Sequence, residues 1–246
     1  MWYSRGIHST LKGGSLIKDF RIVVPFFNDF KNFEQFYLEL KDLESNVQFL
    51  VVDNGSSDNL IEEYLNKNPL KNIKFLKIEE NCGYGGGVKF ASSHCQEDFI
   101  GWMPGNMKIT PKDACNFFIS SIEKDFDLIK AKRVGRPIID WIKTFIFGAI
   151  ASIYFSQNML DSGGVPSLTK KEFFENNRRF IPDDFSFDVF MLYYFRSKSK
   201  KIIRPKINYT TRLHGQSKWQ RGFKSELNLI KTIFSYKKIW KQSLDQ

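Results

Sequence analysis

The sequence is short of the residues that mark several protein classes. Its three cysteines, Cys82, Cys95 and Cys115, form no C-x-x-C pair and match no zinc spacing. That excludes a disulfide framework or a cysteine-held zinc, and reduced thiols in a cytosolic setting are expected. The three histidines, His8, His94 and His214, are too scattered to suggest a metal centre. The first twenty residues carry Arg5, Lys12 and Lys18 but no apolar block, so no secretory signal is expected. No run of about 18 uncharged apolar residues occurs, so no segment is expected to span a bilayer outright. Internal repeats, low-complexity tracts and linkers are also lacking. Acidic side chains are in deficit, with 27 Asp and Glu against 37 Lys and Arg, a formal net charge of +10.

What is there is a foldable chain. At 246 residues, 42 % of them hydrophobic and 26 % charged, it is long enough for one large or two small domains and too apolar for a disordered chain. Twenty-five phenylalanines leave much aromatic surface to bury or to rest on something apolar. The positive balance favours an anionic partner: nucleic acid, a phosphorylated ligand or an acidic lipid surface. Nucleic acid is the least supported of these. No helix-turn-helix, zinc spacing or RNP-like motif appears, and the basic residues gather late in the chain.

Strand and helix signals alternate through the first half. Arg21–Phe27, Val47–Asp53, Ile73–Ile78 and Asp98–Met103 are short apolar, β-branched runs that read as buried strands. Between them, Phe30–Leu43, Leu60–Leu65 and Val88–His94 read as helices, with Asn81–Gly87 as a glycine-rich loop. This alternation predicts an α/β fold, a mostly parallel sheet flanked by helices, with ligands outside the carboxyl ends of the strands. In the second half, Thr144–Phe155 has the length of an interfacial or buried helix, and Asp184–Arg196 has a helical stripe. The tail Phe223–Trp240 reads as a basic amphipathic helix, which either lies on an anionic leaflet or packs on the core. The expected division is an extension over 1–20, a main domain over 21–220 and this tail over 221–246.

Two segments carry candidate chemistry. Asp53, closing a strand and followed by Asn-Gly-Ser-Ser-Asp, suits hydrogen bonds from a nucleobase or ribose, or equally a turn and helix cap. In Asn81-Cys-Gly-Tyr-Gly-Gly-Gly87 the glycines allow close backbone approach to a ligand, and the following helix N-terminus favours anions.

Taken in order, RIVVPFFND, FLVVDNGSSD, NCGYGGGVKFA and DFIGWMPGNMKITP resemble the family 2 glycosyltransferases, as do Asp161-Ser-Gly-Gly-Val-Pro and Phe185-Ser-Phe-Asp188. Thr211-Arg-Leu-His-Gly-Gln-Ser-Lys-Trp219 is similar to the C-terminal motif of the dolichol-phosphate mannose synthase branch, although it also reads as a basic surface loop. The resemblance implies a GT-A, Rossmann-like fold and inverting transfer from a nucleotide-sugar. Pro25, Asn28 and Asp53 would then surround the nucleoside, with Gly83 and Gly85 shaping the wall beside it. Arg133 and Arg136 would meet phosphate, and Arg212, Ser217 and Lys218 would close over the diphosphate. Asp188 would stand on the helix under the acceptor, as a general base for a sugar acceptor or as an orienting group for a phosphate one, with Asp184 and Asp161 behind it. The resemblance also implies a polyprenyl-phosphate or glycan acceptor and a cytoplasmic enzyme held peripherally on the inner face of the membrane.

One departure stands out. Where the family carries Asp-x-Asp for Mg²⁺ or Mn²⁺, this chain has Pro104-Gly105-Asn106, with Lys108 two residues on. Three readings stay open: metal-free transfer with Lys108, Arg133 and Arg212 neutralising the leaving diphosphate, a weakly held Mg²⁺ through Asn106, or a binding protein without transfer.

Overall fold

The computed structural model describes residues 19–43, 45–209 and 223–245. The alternation in sequence becomes β1 (Phe20–Phe26), α1 (Phe30–Lys41), β2 (Gln48–Asn54), α2 (Leu60–Lys67), β3 (Ile73–Ile78), α3 (Gly83–Ser92), β4 (Phe99–Trp102) and α4 (Pro111–Ile122). Then follow β5 (Leu128–Lys130), β6 (Lys132–Val134), α5 (Ile138–Phe155), β7 (Ser167–Lys170), α6 (Lys171–Asn177) and α7 (Ser186–Ser197). The last elements are β8 (Ile202–Ile203), β9 (Lys206–Asn208), α8 (Phe223–Ser235) and α9 (Lys237–Gln242).

Seven strands form one sheet in the order β3-β2-β1-β4-β7-β5-β8, and β6 pairs with β9 in a second. All pairings are parallel except those of β7, which runs antiparallel between β4 and β5. β5 therefore points the same way as β1, β2 and β4. The carboxyl ends of these four strands lie on one edge, where the loops after Phe26, Asn54, Trp102 and Lys130 emerge. β7 starts at that edge, so the preceding Asp161–Pro166 segment lies there too.

The phenylalanines are mostly core. Phe26, Phe33, Phe36 and Phe49 meet edge to face between the sheet and α1, with centroids 5.5–5.8 Å apart. A second cluster joins Phe155, Phe190, Tyr193 and Trp240.

Three expectations need correction. The glycine segment is not a loop before a helix. Gly83 to Gly87 form the first half of α3, because the absence of side chains lets this helix press against residues 182–184 and Asn54. The tail is two helices that meet at Tyr236, and its Trp240 is 0 % exposed, packed against Phe155, Phe190 and Tyr193. The described apolar face of the tail thus belongs to the core. Finally, α5 is long and apolar enough to cross a membrane by length and composition. The sequence criterion missed it because Asp140 and Lys143 interrupt the run. One strip of this helix, Gly148, Ala151 and Phe155, is buried against the protein.

Candidate active site

The first half of the site is built where β1 and β2 end. Asn28 sits in the left-handed region at φ 48°, a conformation that asparagine tolerates. Its Oδ1 accepts from the Ser57 N–H (2.8 Å) and hydroxyl (3.2 Å), while its own N–H donates to Ser56 Oγ (3.0 Å). These bonds tie the two loops together beside Asp53. Asp53 is fully buried, and its Oδ1 accepts from the Ser56 N–H (3.0 Å). Its Oδ2 is also buried but has no hydrogen-bond partner among the described residues. A buried carboxylate oxygen without a donor is costly, and an N–H or O–H from a ligand would relieve it. Pro25 lies one residue before the end of β1, opposite Val52 in the parallel register.

The glycines do something else. Gly83, at φ 80°, and Gly85 abut the backbone of Pro182, Asp183 and Asp184, and a Cβ at either would collide with a carbonyl there. The Gly86 N–H donates to the Asp183 carbonyl (2.9 Å), and Asp183 pairs with Lys89. The start of α3 is therefore capped by another part of the chain, and these glycines hold the loop that leads into α7. Of the first amides of α3, that of Gly83 donates to Asn81 Oδ1 (3.0 Å) and that of Gly86 to Asp183, so these two are engaged within the chain.

That loop delivers Asp188. Asp184 Oδ1 accepts from the Ser186 N–H (2.7 Å) at the start of α7, and two residues further on Asp188 is buried. Its Oδ1 accepts from Trp102 Nε1–H (3.1 Å) and Lys130 Nζ (3.2 Å). Lys130, at the carboxyl end of β5, is 0 % exposed. Burial pushes its ammonium down to about 8, against the opposing pull of Asp188. The Tyr84 hydroxyl is raised well above its ordinary value by burial and then by the charge of Asp188. Asp188 is thus engaged by a buried cation and an indole, an arrangement for orienting more than for accepting a proton.

Beyond Lys130 the chain supplies three guanidinium groups around one carboxylate. Asp161 accepts from the Arg133 backbone N–H (3.0 Å) and Nε (2.6 Å), with Arg136 at 3.8 Å and Arg204 at 3.4 Å. Arg204 is held by the carbonyls of Lys130, Leu160, Ala131 and Asp161, which joins this cluster to the Lys130–Asp188 pair. Arg136 donates to Thr144 Oγ1 (2.9 Å), but its Nε is buried without a partner among the described residues. Three cations share one anion, so the cluster keeps about two net positive charges. A phosphate would complete it. Asp161, a reserve base in the sequence reading, is consumed by these contacts.

The loop after β4 is locked differently. Gly105 lies flat against the Phe26 ring, where any side chain would collide with it. Asn106 Oδ1 accepts from the Lys108 N–H (3.2 Å), across Met107 at φ 54°. Among the described residues no group of three or more His, Cys, Asp or Glu could hold a metal ion. One amide oxygen already engaged by backbone does not fit Mg²⁺ or Mn²⁺, which require several anionic oxygens. Arg212, Ser217 and Lys218 lie outside the described residues.

The structure thus brings Asp53 and Asn28 together on one side, and Asp188, Arg133 and Arg136 on the other. It adds Lys130 and Trp102, which the sequence reading did not single out, and draws Arg204 alone from the basic cluster Arg196–Lys206 that the sequence offers as cations for a phosphate acceptor. Lys130 gave little signal, since it stands between Ile129 and Ala131 but with Lys132 and Arg133 directly after it.

Residues 21–196 match the sequence profile of the family described as glycosyl transferase family 2. Over 52 residues the chain is 40 % identical to dolichyl-phosphate beta-glucosyltransferase from Dictyostelium discoideum, a match spanning 20 % of this chain and 16 % of that protein. Among solved structures, it resembles glucosyl-3-phosphoglycerate synthase from Mycobacterium tuberculosis. The complex of that protein with Mn²⁺, uridine diphosphate and phosphoglyceric acid aligns with TM-score 0.66 and 11 % identity, over 89 % of this chain and 77 % of that one. The complex with uridine diphosphate alone gives 0.66 and 13 %, over 94 % and 87 %. At such identities the likeness is one of fold, the mostly parallel, helix-flanked sheet of GT-A glycosyltransferases.

Proposed function

The chain belongs to glycosyl transferase family 2, and on that premise we propose that it moves a sugar, with inversion, from a nucleotide-sugar to a polyprenyl phosphate or related membrane-associated acceptor. The setting is the synthesis of cell-surface glycans, by a cytoplasmic enzyme held peripherally on the inner face of the membrane. The observation that carries the acceptor class is the sharing of Asp161 by Arg133, Arg136 and Arg204 beside the buried Lys130–Asp188 pair. The 52-residue likeness to a protein named for dolichyl phosphate supports the same reading.

The chemistry follows from the charges. A prenyl phosphate is already ionised near neutral pH, so its oxygen attacks the anomeric carbon with no proton to remove. The bond from that carbon to the nucleotide diphosphate breaks on the opposite face, and the diphosphate leaves with the bonding pair. The nucleoside is held by Asp53, Asn28 and Pro25, with Asp53 Oδ2 accepting from the base. Arg133 and Arg136 hold the acceptor phosphate, and Asp188, fixed by Trp102 and Lys130, orients the sugar or its basic neighbour. Lys108 neutralises the departing diphosphate at the place where the family's carboxylates are missing, with Arg212 and the hydroxyl and ammonium of Ser217 and Lys218 closing over it.

The test is transfer from UDP-, GDP- and CMP-sugars to a polyprenyl phosphate and to free glycans, each with EDTA and with Mn²⁺. Transfer to the prenyl phosphate that persists in EDTA is expected. Binding of nucleotide without transfer under any condition would favour the second reading, which rests on Pro104-Gly105-Asn106: a nucleotide- or glycan-binding protein descended from the enzyme fold.

A further inference from the structure

Among the described residues one large apolar surface is left uncovered, the outward side of α5. From Ile138, 72 % exposed, to Ile153, 83 % exposed, the helix presents Trp141, Ile142, Phe145, Ile146 and Ile150 to the outside. Positions 138, 142, 145, 146, 149 and 153 fall along one line at helical spacing, and none of them is charged. Trp141 and Phe145 stack on each other with centroids 5.4 Å apart and interplanar angle 16°. A contiguous apolar face of this size is rare on a protein that meets only water.

The positive charge lies beside the C-terminal end of that face. At its start Arg133 and Arg136 stand against Asp161 and against Asp140 in the first turn of α5. At its end an open, apolar trough of about 610 Å³, lined by Phe145, Ala149, Ile153 and Leu160, adjoins a polar hollow of about 320 Å³ through Gln157, which lines both. The hollow is formed by Arg196, Ser199, Lys200 and Arg204 and contains no acidic side chain. The Nε of Arg196 is buried with no partner among the described residues.

We propose that the outward face of α5, together with the basic hollow at its C-terminal end, docks on an anionic lipid bilayer, with α5 lying flat in the interface and lipid phosphates at the hollow. The charge pattern selects this occupant over a second copy of the chain. The outward face of α5 in a second copy carries no acidic residue to answer the hollow of Arg196, Lys200 and Arg204, whereas an anionic leaflet complements both the apolar face and that hollow. The strip Gly148, Ala151 and Phe155 stays packed on the protein, so the helix enters the leaflet with one side only. This rests on the peripheral reading above and names the surface that effects it.

The experiment uses the full chain with vesicles of phosphatidylcholine alone and of phosphatidylcholine with one-third phosphatidylglycerol. Binding to the anionic vesicles is expected, weakening with added salt. Brominated acyl chains should quench tryptophan emission in the parent but far less in Trp141→Phe. Ile146→Glu with Ile150→Glu should lower vesicle affinity at least tenfold, and Lys200→Glu should reduce the preference for the anionic lipid. Transfer to a short-chain, water-soluble prenyl phosphate should be unchanged in the Ile146→Glu/Ile150→Glu variant. Undiminished vesicle binding by that variant overturns the proposal. So does a Trp141 that acrylamide cannot reach before lipid is added, which would mean that the chain or a second copy already covers α5. Loss of transfer to the soluble acceptor in the parent, with vesicle binding intact, would instead count against the proposed activity.

Discussion

Removing the ammonium of Lys130 while leaving Asp188 in place should damage the fold far more than removing both charges. Lys130 is fully buried, and its ordinary value of 10.5 falls to about 8. At about 1.36 kcal/mol for each tenfold change in proton affinity, that is about 3 kcal/mol against the charged form, even with Asp188 beside it. Lys130→Met strands the carboxylate of Asp188 with only the Trp102 indole N–H, and should cost about 3–5 kcal/mol. For a chain of this size that is a fall in Tm of about 6–20 °C. The double variant Lys130→Met/Asp188→Asn keeps the bond from Trp102 and removes both charges, so it should lie within about 1 kcal/mol of the parent. Urea unfolding of the parent, both single variants and the double closes the cycle.

A pH series adds a second reading of the same pair. Between about pH 8 and 10.5 the folded chain has released the Lys130 proton while the unfolded chain still holds it, so this group makes stability rise with pH. Below 8 both states are protonated and the full burial cost is present. Buried thiols such as Cys95, raised to about 11, act in the opposite sense above 9. The quantity to follow is therefore the difference between the parent and Lys130→Met, which should grow from pH 8 to 10. A double variant as unstable as Lys130→Met, or a difference independent of pH, would refute the account.

Three further outcomes are expected. Asp53→Asn should weaken donor-nucleotide binding by about tenfold or more in calorimetry, with little change in melting, because one oxygen still accepts from Ser56 while the other, left to accept from the ligand, becomes an N–H donor. Arg133→Gln with Arg136→Gln should raise KM for the prenyl phosphate while leaving nucleotide affinity unchanged. Gly85→Ala should destabilise by about 1–3 kcal/mol, although alanine is the better helix former, because the added Cβ runs into the Pro182 carbonyl.

The first four strands and the helices α1, α2 and α7 were legible because their signals are local, whereas β5, β6 and β7 are only three or four residues long and gave none. Ile73–Ile78 is the same in sequence and structure, and β1, β2 and β4 shift by only one or two residues. Asp53 was legible for a similar reason: an acid closing an apolar strand ahead of turn residues has few places to be. The start of α3 was not, since Gly83 to Gly87 are helical for the sake of contacts with residues a hundred positions away. Nor was the destination of α5. Its periodicity shows a helix with apolar residues nearly all round, but only the packing of Gly148, Ala151 and Phe155 shows which side remains uncovered. The pairing of Lys130 with Asp188 was hidden by a separation of 58 residues.

The burial of Trp240 among Phe155, Phe190 and Tyr193 means that the last two helices act as an inner brace for α5. Tyr154 extends the brace, stacking on Phe234 at 4.0 Å and donating its hydroxyl to the Phe234 carbonyl. A chain cut short before Phe223 would lose the wall on which α5 rests. The freed aromatic cluster would then cling to detergent, lipid or other molecules indiscriminately, so adhesion by such a fragment would report its collapse and nothing about where the intact protein resides.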